Sequence, residues 1–373
     1  MTGVFSFPTT IVFGAGAIDA LWPRFSRLGA TRPLLVTDPG LTETAAFATA
    51  REALGGREHL FRDVQPNPSD ENVRAAVQAY AAGGCDSVVA LGGGSAIDVG
   101  KIVRLAIRFS GRALANFDGS EDVAGGKLAP FLAIPTTAGT GSEVGRSSVV
   151  TVGGTKRVIF HPALLADLVI LDPRLTVDLP PRLTAATGAD ALTHCIESFT
   201  APAFHPLCDA IALEGIRLTV EALPRAVKHP RDLEARGQMQ LAATMGGIAF
   251  QKDLGAAHAL AHPLSALCGV HHGTANALCL PAVMAFNAER KPGLYRRVGE
   301  AMGLGADASD RQVIDRVRQL LQEIGLSPGL RGAGVSDGQL DALADQAFAD
   351  ACHQTNPVTV TRQDLYALYQ QAM

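Results

Sequence analysis

The sequence predicts a protein of two domains: an α/β domain with a parallel sheet over residues 1–180 and an all-helical domain over residues 181–373. In the first half, short β-branched runs alternate with Ala-rich helical patterns. This alternation is typical of βαβ units, whose strands form a parallel sheet. From Arg182 onward, apolar residues recur at helical spacing and no segment has the pattern of a strand. A chain of 373 residues also fits about two domains of roughly 100–200 residues each.

The predicted strands of the first half are short runs that end in turn residues. The three clearest are PLLVTD (33–38), SVVALGG (87–93) and FLAIPTT (131–137). Three further runs are predicted as added strands: SSVVTV (147–152), RVIFH (157–161) and LVILDP (168–173). Because ligands of open α/β sheets bind beyond the carboxyl ends of the strands, we expect the functional site at that edge, in a cleft between the domains.

The second half is predicted as helices from four segments with apolar residues at helical spacing. These segments are RLTAATGADALTHCIESFT, CDAIALEGIRLTVEALPRAV, LEARGQMQLAATMGGIAF and GTANALCLPAVMAFNAER. The chain has no internal repeat and no low-complexity tract.

Composition argues against several classes of function. The net charge is −4 and no Lys/Arg-rich block occurs, so neither nucleic acid nor an anionic membrane is expected as a partner. No apolar run reaches the ~20 residues of a membrane span, and the N-terminal residues lack the pattern of a signal peptide. None of the six cysteines forms a CxxC pair, which indicates reduced thiols and a cytoplasmic protein.

A glycine-rich turn follows the second clear strand. The segment GGGSAIDVGK (92–101) leaves a predicted strand and opens a helix, so its backbone N–H groups can approach a phosphate at a helix N-terminus, with Ser95 able to cap that helix. It is neither GxGxxG nor the GxxxxGK[ST] loop. A dinucleotide phosphate site and a tight turn without a ligand therefore both remain open.

Two more strand ends carry polar residues suited to a dinucleotide. Asp38 ends the first clear strand, where a carboxylate can accept hydrogen bonds from the adenosine ribose and repel the 2′-phosphate of NADP; capping of the next segment is the alternative. The loop PTTAGTGSEV (135–144) is dense in Gly and Thr. It suits a nicotinamide ribose and pyrophosphate, or else is an ordinary surface loop.

The second half contains a set of metal-ligand residue types at helical spacing. Asp190 and His194 are four residues apart, as are His258 and His262, and His272 follows shortly after. Residues at that spacing share one helix face. An Asp with two or three His from separate helices can bind Fe²⁺ or Zn²⁺ with positions left open for chemistry. The alternative is that these histidines bind an anionic substrate directly.

Together these motifs resemble the iron-containing (group III) alcohol dehydrogenase family over essentially the whole chain. The resemblance is carried by PNPS (66–69), GGGSAIDVGK, IPTTAGTGSEV, ATGADALTHCIE and GAAHALAHPL…HHGTANALCLP. It implies a Rossmann-like dinucleotide-binding domain followed by an all-α metal-binding domain, the architecture shared with dehydroquinate synthase. It also implies a homodimer or higher homo-oligomer.

Matched residue by residue, the resemblance implies a role for each of several positions. The implied metal ligands are Asp190, His194, His258 and His272. The implied metal is Fe²⁺, with Zn²⁺ as the alternative. His262 matches a non-ligand histidine near the nicotinamide that can relay a proton. The implied contacts to NAD are Asp38, Asn67, Gly93, Gly94, Ser95, Asp98, Thr136, Thr137, Thr140 and Lys156. The maleylacetate reductases, a related branch without metal, lack these ligands, and their presence here argues against that branch.

Two departures from the family pattern border its substrate pocket. The loop AFQKDLGAAH (249–258) is one residue shorter than the common form, and ACHQTNPVTV (351–360) has Val where Arg is usual. The candidate substrate residues are Phe250, Lys252, Cys352, His353 and, after the cofactor loop, Arg146. Lys252 is a candidate partner for a distal carboxylate, or else only ties a loop to the surface. Segments such as FTAPAF and CHQTNP look most like the 4-hydroxybutyrate dehydrogenase branch.

The expected activity is a metal-dependent, NAD(H)-linked alcohol dehydrogenase or aldehyde reductase acting on a short alcohol. The specific expectation is 4-hydroxybutyrate and succinic semialdehyde. A neutral short alcohol or diol of the 1,3-propanediol or lactaldehyde type is one alternative. A metal-dependent lyase or synthase of the same superfamily is the other.

Overall fold

The computed structural model describes residue 7 and residues 9–117, 128–153, 155–326 and 329–373. The chain divides into two compact units. The sheet unit comprises Phe7–Thr137 and Gly141–Leu179, and the helical unit comprises Ala138–Thr140 and Pro180–Met373. The sheet unit corresponds largely to the part of the sequence in which strand and helix patterns alternate. The helical unit corresponds largely to the part that has only helical patterns.

The sheet unit contains eight strands in its described part. They are β1 (Thr10–Phe13), β2 (Pro33–Val36), β3 (His59–Phe61), β4 (Ser87–Gly92), β5 (Phe131–Pro135), β6 (Ser147–Val152), β7 (Thr155–Phe160) and β8 (Leu168–Leu171). Six of them form a sheet in the order β1-β8-β5-β4-β2-β3, in which every pairing is parallel. Strands β2, β4, β5 and β8 are buried along their whole length, as expected for a parallel sheet that is covered on both faces. The α/β prediction is confirmed.

Strands β6 and β7 lie in two of the runs predicted as added strands, but they do not join the parallel sheet. They pair antiparallel with each other and form a separate two-stranded ribbon. Val150 and Ile159 are buried, whereas Val149 and Val158 are exposed. A ribbon with one covered face produces this alternation, and a strand inside a parallel sheet does not. Strands β1 and β3 were not predicted, since each has at most four residues.

The described residues of the sheet unit include four α-helices: α1 (Leu21–Phe25), α2 (Ala45–Leu54), α3 (Asp70–Ala82) and α4 (Gly94–Arg108). Along the chain, β2 is followed by β3 on one side of the sheet, whereas β4 is followed by β5 and then β8 on the other. The strand order therefore reverses between β2 and β4. In open α/β sheets this switch point is where ligands bind.

The helical unit contains α5 (Pro181–Thr200), α6 (Pro206–Lys228), α7 (Leu233–Ala249), α8 (Ala256–Cys268), α9 (His272–Arg290), α10 (Arg296–Ala301), α11 (Asp310–Glu323), α12 (Gly329–Gly332), α13 (Leu340–Ala349) and α14 (Arg362–Ala372). No strand occurs among its described residues. Helix α5 packs against α6, α7 and α9, and α8 packs against α9. None of the described helices combines the length and the hydropathy that a membrane crossing requires.

Glycines allow the helices around α5 to approach it closely. A Cβ at Gly273, the second residue of α9, would lie 2.0 Å from the carbonyl oxygen of Ala186 on α5. A Cβ at Gly246 of α7 would lie 3.0 Å from the Cβ of His194. Because the first turn of α9 touches the backbone of α5, the residue that starts α9 is brought beside the middle of α5.

Candidate active site

The predicted metal ligands converge within the helical unit. Asp190 and His194 lie one turn apart on α5, and His258 lies in the first turn of α8. All three are buried, and a ligand atom from each lies within 4.8 Å of the others. The rings of His194 and His258 stack with 4.6 Å between their centroids. His194 and His258 thus belong to one cluster, although they lie on two helices that are distant in sequence.

His272, the first residue of α9, completes the set. Its Nε2 lies 3.4 Å from Oδ1 of Asp190, and Nε2 of His258 lies 3.7 Å from the same oxygen. The neighbouring His271 is exposed and precedes α9. The four positions that the resemblance implied therefore lie around the Asp190 carboxylate.

The electrostatics of Asp190, His194 and His272 keep lone pairs available for a metal. Burial raises the pKa of Asp190, but the nearby histidines outweigh burial and lower it below its usual range, so the carboxylate is ionised. Burial lowers the pKa of His194 to about 4 and that of His272 well below its usual value. Their imidazoles are neutral at pH 7. Metal binding requires a deprotonated carboxylate and neutral imidazoles.

His258 differs from the other two histidines. Burial opposes its charge, but hydrogen bonds to Asp190 and Glu197 raise its pKa to about 9. The Nδ1 atom of His258 lies 2.6 Å from Oε2 of Glu197. Sequence analysis missed Glu197, although it follows His194 by one turn in the motif ATGADALTHCIE.

The contacts of the Asn276 amide show that donor atoms of the proposed ligands are directed at one point, as a metal site requires. Its Nδ2 donates to Oδ1 of Asp190 at 2.7 Å and lies 3.1 Å from Nε2 of His258 and 3.2 Å from Nε2 of His272. One carboxylate oxygen and two imidazole nitrogens thus face a common point. The amide oxygen of Asn276 is buried without a hydrogen-bond partner. This mixed oxygen and nitrogen donor set fits Fe²⁺ or Zn²⁺.

His262 lies beside the ligand cluster. Its ring stacks on His272 with 5.4 Å between centroids and an interplanar angle of 11°. Its Nδ1 lies 2.7 Å from Oδ2 of Asp350, a carboxylate that sequence analysis also missed. The other oxygen of Asp350 accepts a hydrogen bond from the backbone N–H of Cys352 at 2.8 Å. The side chain of His262 is 31% exposed, so one edge of the ring reaches solvent.

Three of the predicted substrate residues lie in the helical unit near these groups. The ring of Phe250 lies 5.5 Å from that of His194. Cys352 and His353 lie in the short 3₁₀ helix Ala351–Thr355, and the His353 ring stacks on Phe348 at 5.0 Å. Burial raises the pKa of the Cys352 thiol well above its usual value, so the thiol is neutral.

Lys252 is held by contacts within the helical unit, and its candidate role in substrate binding stays a prediction. Its side chain is 3% exposed, and its ammonium contacts Oδ1 of Asp209 at 2.5 Å and the carbonyl oxygen of Phe199 at 3.1 Å. The charge of Lys252 is thus already compensated by a carboxylate within the helical unit. This arrangement matches the alternative role, in which Lys252 ties down the loop before α8.

Arg146 belongs to the sheet unit. Its guanidinium lies 5.3 Å from the centre of the Phe160 ring, and its carbonyl oxygen accepts a hydrogen bond from His161 N–H at 2.9 Å. Its guanidinium therefore has an aromatic contact on the β6–β7 ribbon. Its predicted role in substrate binding stays a prediction.

The glycine-rich turn lies at the switch point of the sheet. Strand β4 ends at Gly92 with φ 150°, and α4 begins at Gly94 without a side-chain cap. By contrast, Thr44 and Ser69 cap the starts of α2 and α3 with their side chains. The N-terminus of an uncapped helix presents backbone N–H groups that can bind a phosphate.

Asp38 lies next to this turn, just beyond the end of β2. Its Oδ1 accepts a hydrogen bond from Leu41 N–H at 3.1 Å, so Asp38 does cap the following turn. Its Oδ2 lies 3.4 Å from where a Cβ at Gly92 would be. Thr136 N–H donates to the Gly92 carbonyl oxygen at 3.0 Å, and Thr137 lies 3.4 Å from a Cβ built at Gly93. The ends of β2, β4 and β5 thus bring these predicted NAD contacts together.

Two predicted NAD contacts have structural partners. Ser95 does not cap α4; its hydroxyl donates to the carbonyl oxygen of Pro66 at 2.8 Å, next to the exposed Asn67. The half-buried carboxylate of Asp98 accepts from the Ser142 hydroxyl at 2.6 Å and from Val149 N–H at 2.9 Å. Ser95 and Asp98 therefore anchor the loops around the glycine turn.

The remaining two predicted contacts lie elsewhere. Thr140 belongs to the helical unit. The backbone of Lys156 pairs with Thr151 in the ribbon, while its side chain lies outside the described part. For these two residues, NAD binding stays a prediction.

Comparisons with known proteins give one family along the chain. Residues 8–173 match the family model described as iron-containing alcohol dehydrogenase, and residues 184–373 match the C-terminal model of the Fe-containing alcohol dehydrogenase family. The 4-hydroxybutyrate dehydrogenase of Cupriavidus necator is 39% identical over 378 residues, covering 98% of either protein. The 1,3-propanediol dehydrogenase of Klebsiella pneumoniae is 36% identical, covering 98% of this chain and 97% of the relative. A crystal structure of a 1,3-propanediol oxidoreductase matches with a TM-score of 0.94, 34% identity and full coverage of both chains.

These matches argue against one alternative that the sequence left open, a lyase or synthase of the same superfamily. Both halves match alcohol dehydrogenase models rather than a lyase or synthase, and the Asp/His cluster in the structure is of the type that holds a metal. The protein is an oxidoreductase that uses iron and NAD, and the chain belongs to the iron-containing alcohol dehydrogenase family.

Proposed function

We propose that the protein catalyses reversible, NAD(H)-linked oxidation of a short alcohol, with the metal held by Asp190, His194, His258 and His272. The convergence of these side chains around the Asp190 carboxylate carries the proposal. Iron bound there supplies a Lewis acid, which makes the alcohol hydroxyl more acidic.

His262 accepts the proton of that hydroxyl. Its Nδ1 is held by Asp350, so in a neutral imidazole the N–H lies on Nδ1 and the lone pair on Nε2. The ring stacks beside His272, and its partial exposure allows the proton to pass to water. Asp350 stabilises the protonated ring electrostatically.

The residues at the switch point of the sheet are proposed to hold NAD. The N–H groups of Gly93 and Gly94 bind the pyrophosphate at the start of α4, and the Asp38 carboxylate binds the ribose hydroxyls. A carboxylate at that position repels a 2′-phosphate, so NAD(H) is preferred over NADP(H).

For the substrate, we propose 4-hydroxybutyrate and its aldehyde, succinic semialdehyde. Support comes from the relative named 4-hydroxybutyrate dehydrogenase, which is similar over nearly the whole chain. A neutral short alcohol or diol is the second candidate. It is favoured by the ion pair between Lys252 and Asp209, which engages the cation that had been the candidate for a distal carboxylate.

The test is a comparison of kcat/KM, with NADH, for succinic semialdehyde, 3-hydroxypropanal and butanal. If the distal carboxylate is recognised by a charge-assisted hydrogen bond worth roughly 1.5–3 kcal/mol, succinic semialdehyde is preferred over butanal by about one to two decades. A preference for 3-hydroxypropanal identifies the neutral candidate instead. Full activity after removal of the metal would contradict the proposed mechanism for either substrate.

A further inference from the structure

Glu197 is a buried carboxylate on α5 that binds the start of another helix. It is 4% exposed. Its Oε1 accepts a hydrogen bond from Ala257 N–H at 2.7 Å. Its Oε2 lies 2.6 Å from Nδ1 of His258 and accepts from His258 N–H at 3.4 Å. Both oxygens of this carboxylate are therefore directed at the first turn of α8.

The first turn of α8 leaves room for this carboxylate. Gly255 precedes α8 and provides no side-chain cap, and a Cβ at Gly255 would lie 2.7 Å from Oε1 of Glu197. The remaining first-turn donor, Ala256 N–H, is bound by Oδ1 of Asn356 at 3.3 Å. Side chains from distant segments thus satisfy the N–H groups of this helix. The positive end of the helix dipole in turn stabilises the buried anion.

We propose that Glu197 is a positioning residue for the metal site, acting through His258. By accepting the Nδ1–H of His258, the carboxylate fixes the ring so that its Nε2 faces Asp190. The same carboxylate fixes the backbone that carries the ring. Metal-ligating histidines usually donate their second N–H to such a partner, which sets the tautomer and increases the basicity of the ligand. This inference rests on the assignment of His258 as a ligand, made under Proposed function.

The substitution Glu197→Gln separates this role from helix capping. Ala257 N–H is a donor, so the Gln side chain must present its oxygen there. Its NH₂ group then faces Nδ1 of His258, which must accept rather than donate. The neutral imidazole consequently carries its proton on Nε2 and loses the lone pair that faces Asp190. The acceptor for Ala257 N–H is retained, whereas the longer hydrogen bond from His258 N–H is lost.

The test measures Zn²⁺ affinity of the metal-free protein by competition with a chromophoric chelator. For Glu197→Gln we expect affinity to fall by roughly 10–100-fold, as is usual for the loss of such a partner. Glu197→Asp, which keeps the charge but is one methylene shorter, should give a smaller loss. Unchanged affinity in Glu197→Gln would overturn the proposal. If that variant does not fold, unchanged affinity in Glu197→Asp would overturn it.

Two further variants assign the cause of any loss. Asn356→Ala removes the other cap of α8 without touching His258, so it should lower the melting temperature of the metal-free protein and leave Zn²⁺ affinity nearly unchanged. In a His258→Ala background, Glu197→Gln should cause no additional loss of affinity, because interacting residues are non-additive. An equal loss in both backgrounds would show that Glu197 acts only on the general structure. If His258→Ala itself leaves affinity unchanged, the ligand assignment is wrong, independently of Glu197.

Discussion

Nδ1 of His262 and Oδ2 of Asp350 lie 2.7 Å apart, although the two residues are 88 positions apart in the chain. Burial raises the pKa of the Asp350 carboxyl, but the hydrogen bond to His262 outweighs burial and lowers it. The carboxylate is therefore ionised, and it faces the ring that we propose as the proton acceptor. A histidine held by a carboxylate has a defined tautomer and orientation.

For Asp350→Asn we expect kcat to fall by about one to two decades, a part of the 10²–10⁴-fold that general acid–base catalysis contributes. The amide keeps the size of the side chain but removes the charge that stabilises the protonated ring. Zn²⁺ affinity should stay the same, because Asp350 contacts none of the proposed ligands. Asp345→Asn is a matched control, since Asp345 pairs with Arg362 at the surface. A kcat equal to that of the control would show that Asp350 has no part in proton transfer.

The ion pair between the buried Lys252 and the partly exposed Asp209 gives a different kind of prediction. Lys252→Met should lower the free energy of unfolding by about 1–3 kcal/mol, because it leaves the Asp209 carboxylate without its partner. The kcat/KM for succinic semialdehyde and for butanal should change by the same factor. A loss confined to succinic semialdehyde would restore Lys252 as a substrate residue. In Lys252→Met/Asp209→Asn, part of the lost stability should be regained, as measured by urea unfolding.

The fold could be predicted from the sequence where strands are long and apolar. β4 and β5 were located because their buried residues form continuous runs that end in glycine or threonine. β1 and β3 were missed because three or four residues carry too little pattern. The pairing of β6 with β7 was not predicted, since partner choice depends on contacts between strands rather than on the pattern of either one.

The candidate site could be predicted only in part. The Asp and His positions of the metal cluster occur in short motifs at helical spacing, so their grouping was visible in sequence. Glu197 and Asp350 were missed because their roles depend on which distant helix start or ring lies opposite them. The ion pair of Lys252 could not be predicted for the same reason: Lys252 is close to His258 in sequence, but its ammonium contacts Asp209 on α6.

Asp253, in the loop before α8, should be a source of strain. Among the described residues it is the only non-glycine residue with positive φ, at 70°, and its ψ is −178°. That region is almost restricted to glycine and costs other residues of order 1–3 kcal/mol. Asp253→Gly removes this strain, but glycine loses more conformational entropy on folding. The net effect should be a free energy of unfolding that is higher by about 1 kcal/mol. Asp253→Ala keeps the strain and serves as the control; equal stability of the two variants, measured by urea unfolding, would contradict the argument.

Lys101 should make the stability of the sheet unit depend on pH in the alkaline range. Its side chain is fully buried, with the ammonium 2.8 Å from both the Ser142 hydroxyl and the Ser147 carbonyl oxygen. Burial lowers its pKa from 10.5 to about 8, although Asp98 and Glu143 oppose this shift. Between these two pH values the unfolded chain binds a proton that the folded protein has released, so this residue's contribution to the free energy of unfolding increases with pH. Lys101→Met loses the hydrogen bonds at every pH but has no group that titrates there. The measurement is the free energy of unfolding of wild type and variant, from urea unfolding at several pH values in this window. The difference between the two proteins should increase with pH. A constant difference would show that the buried ammonium keeps its ordinary pKa.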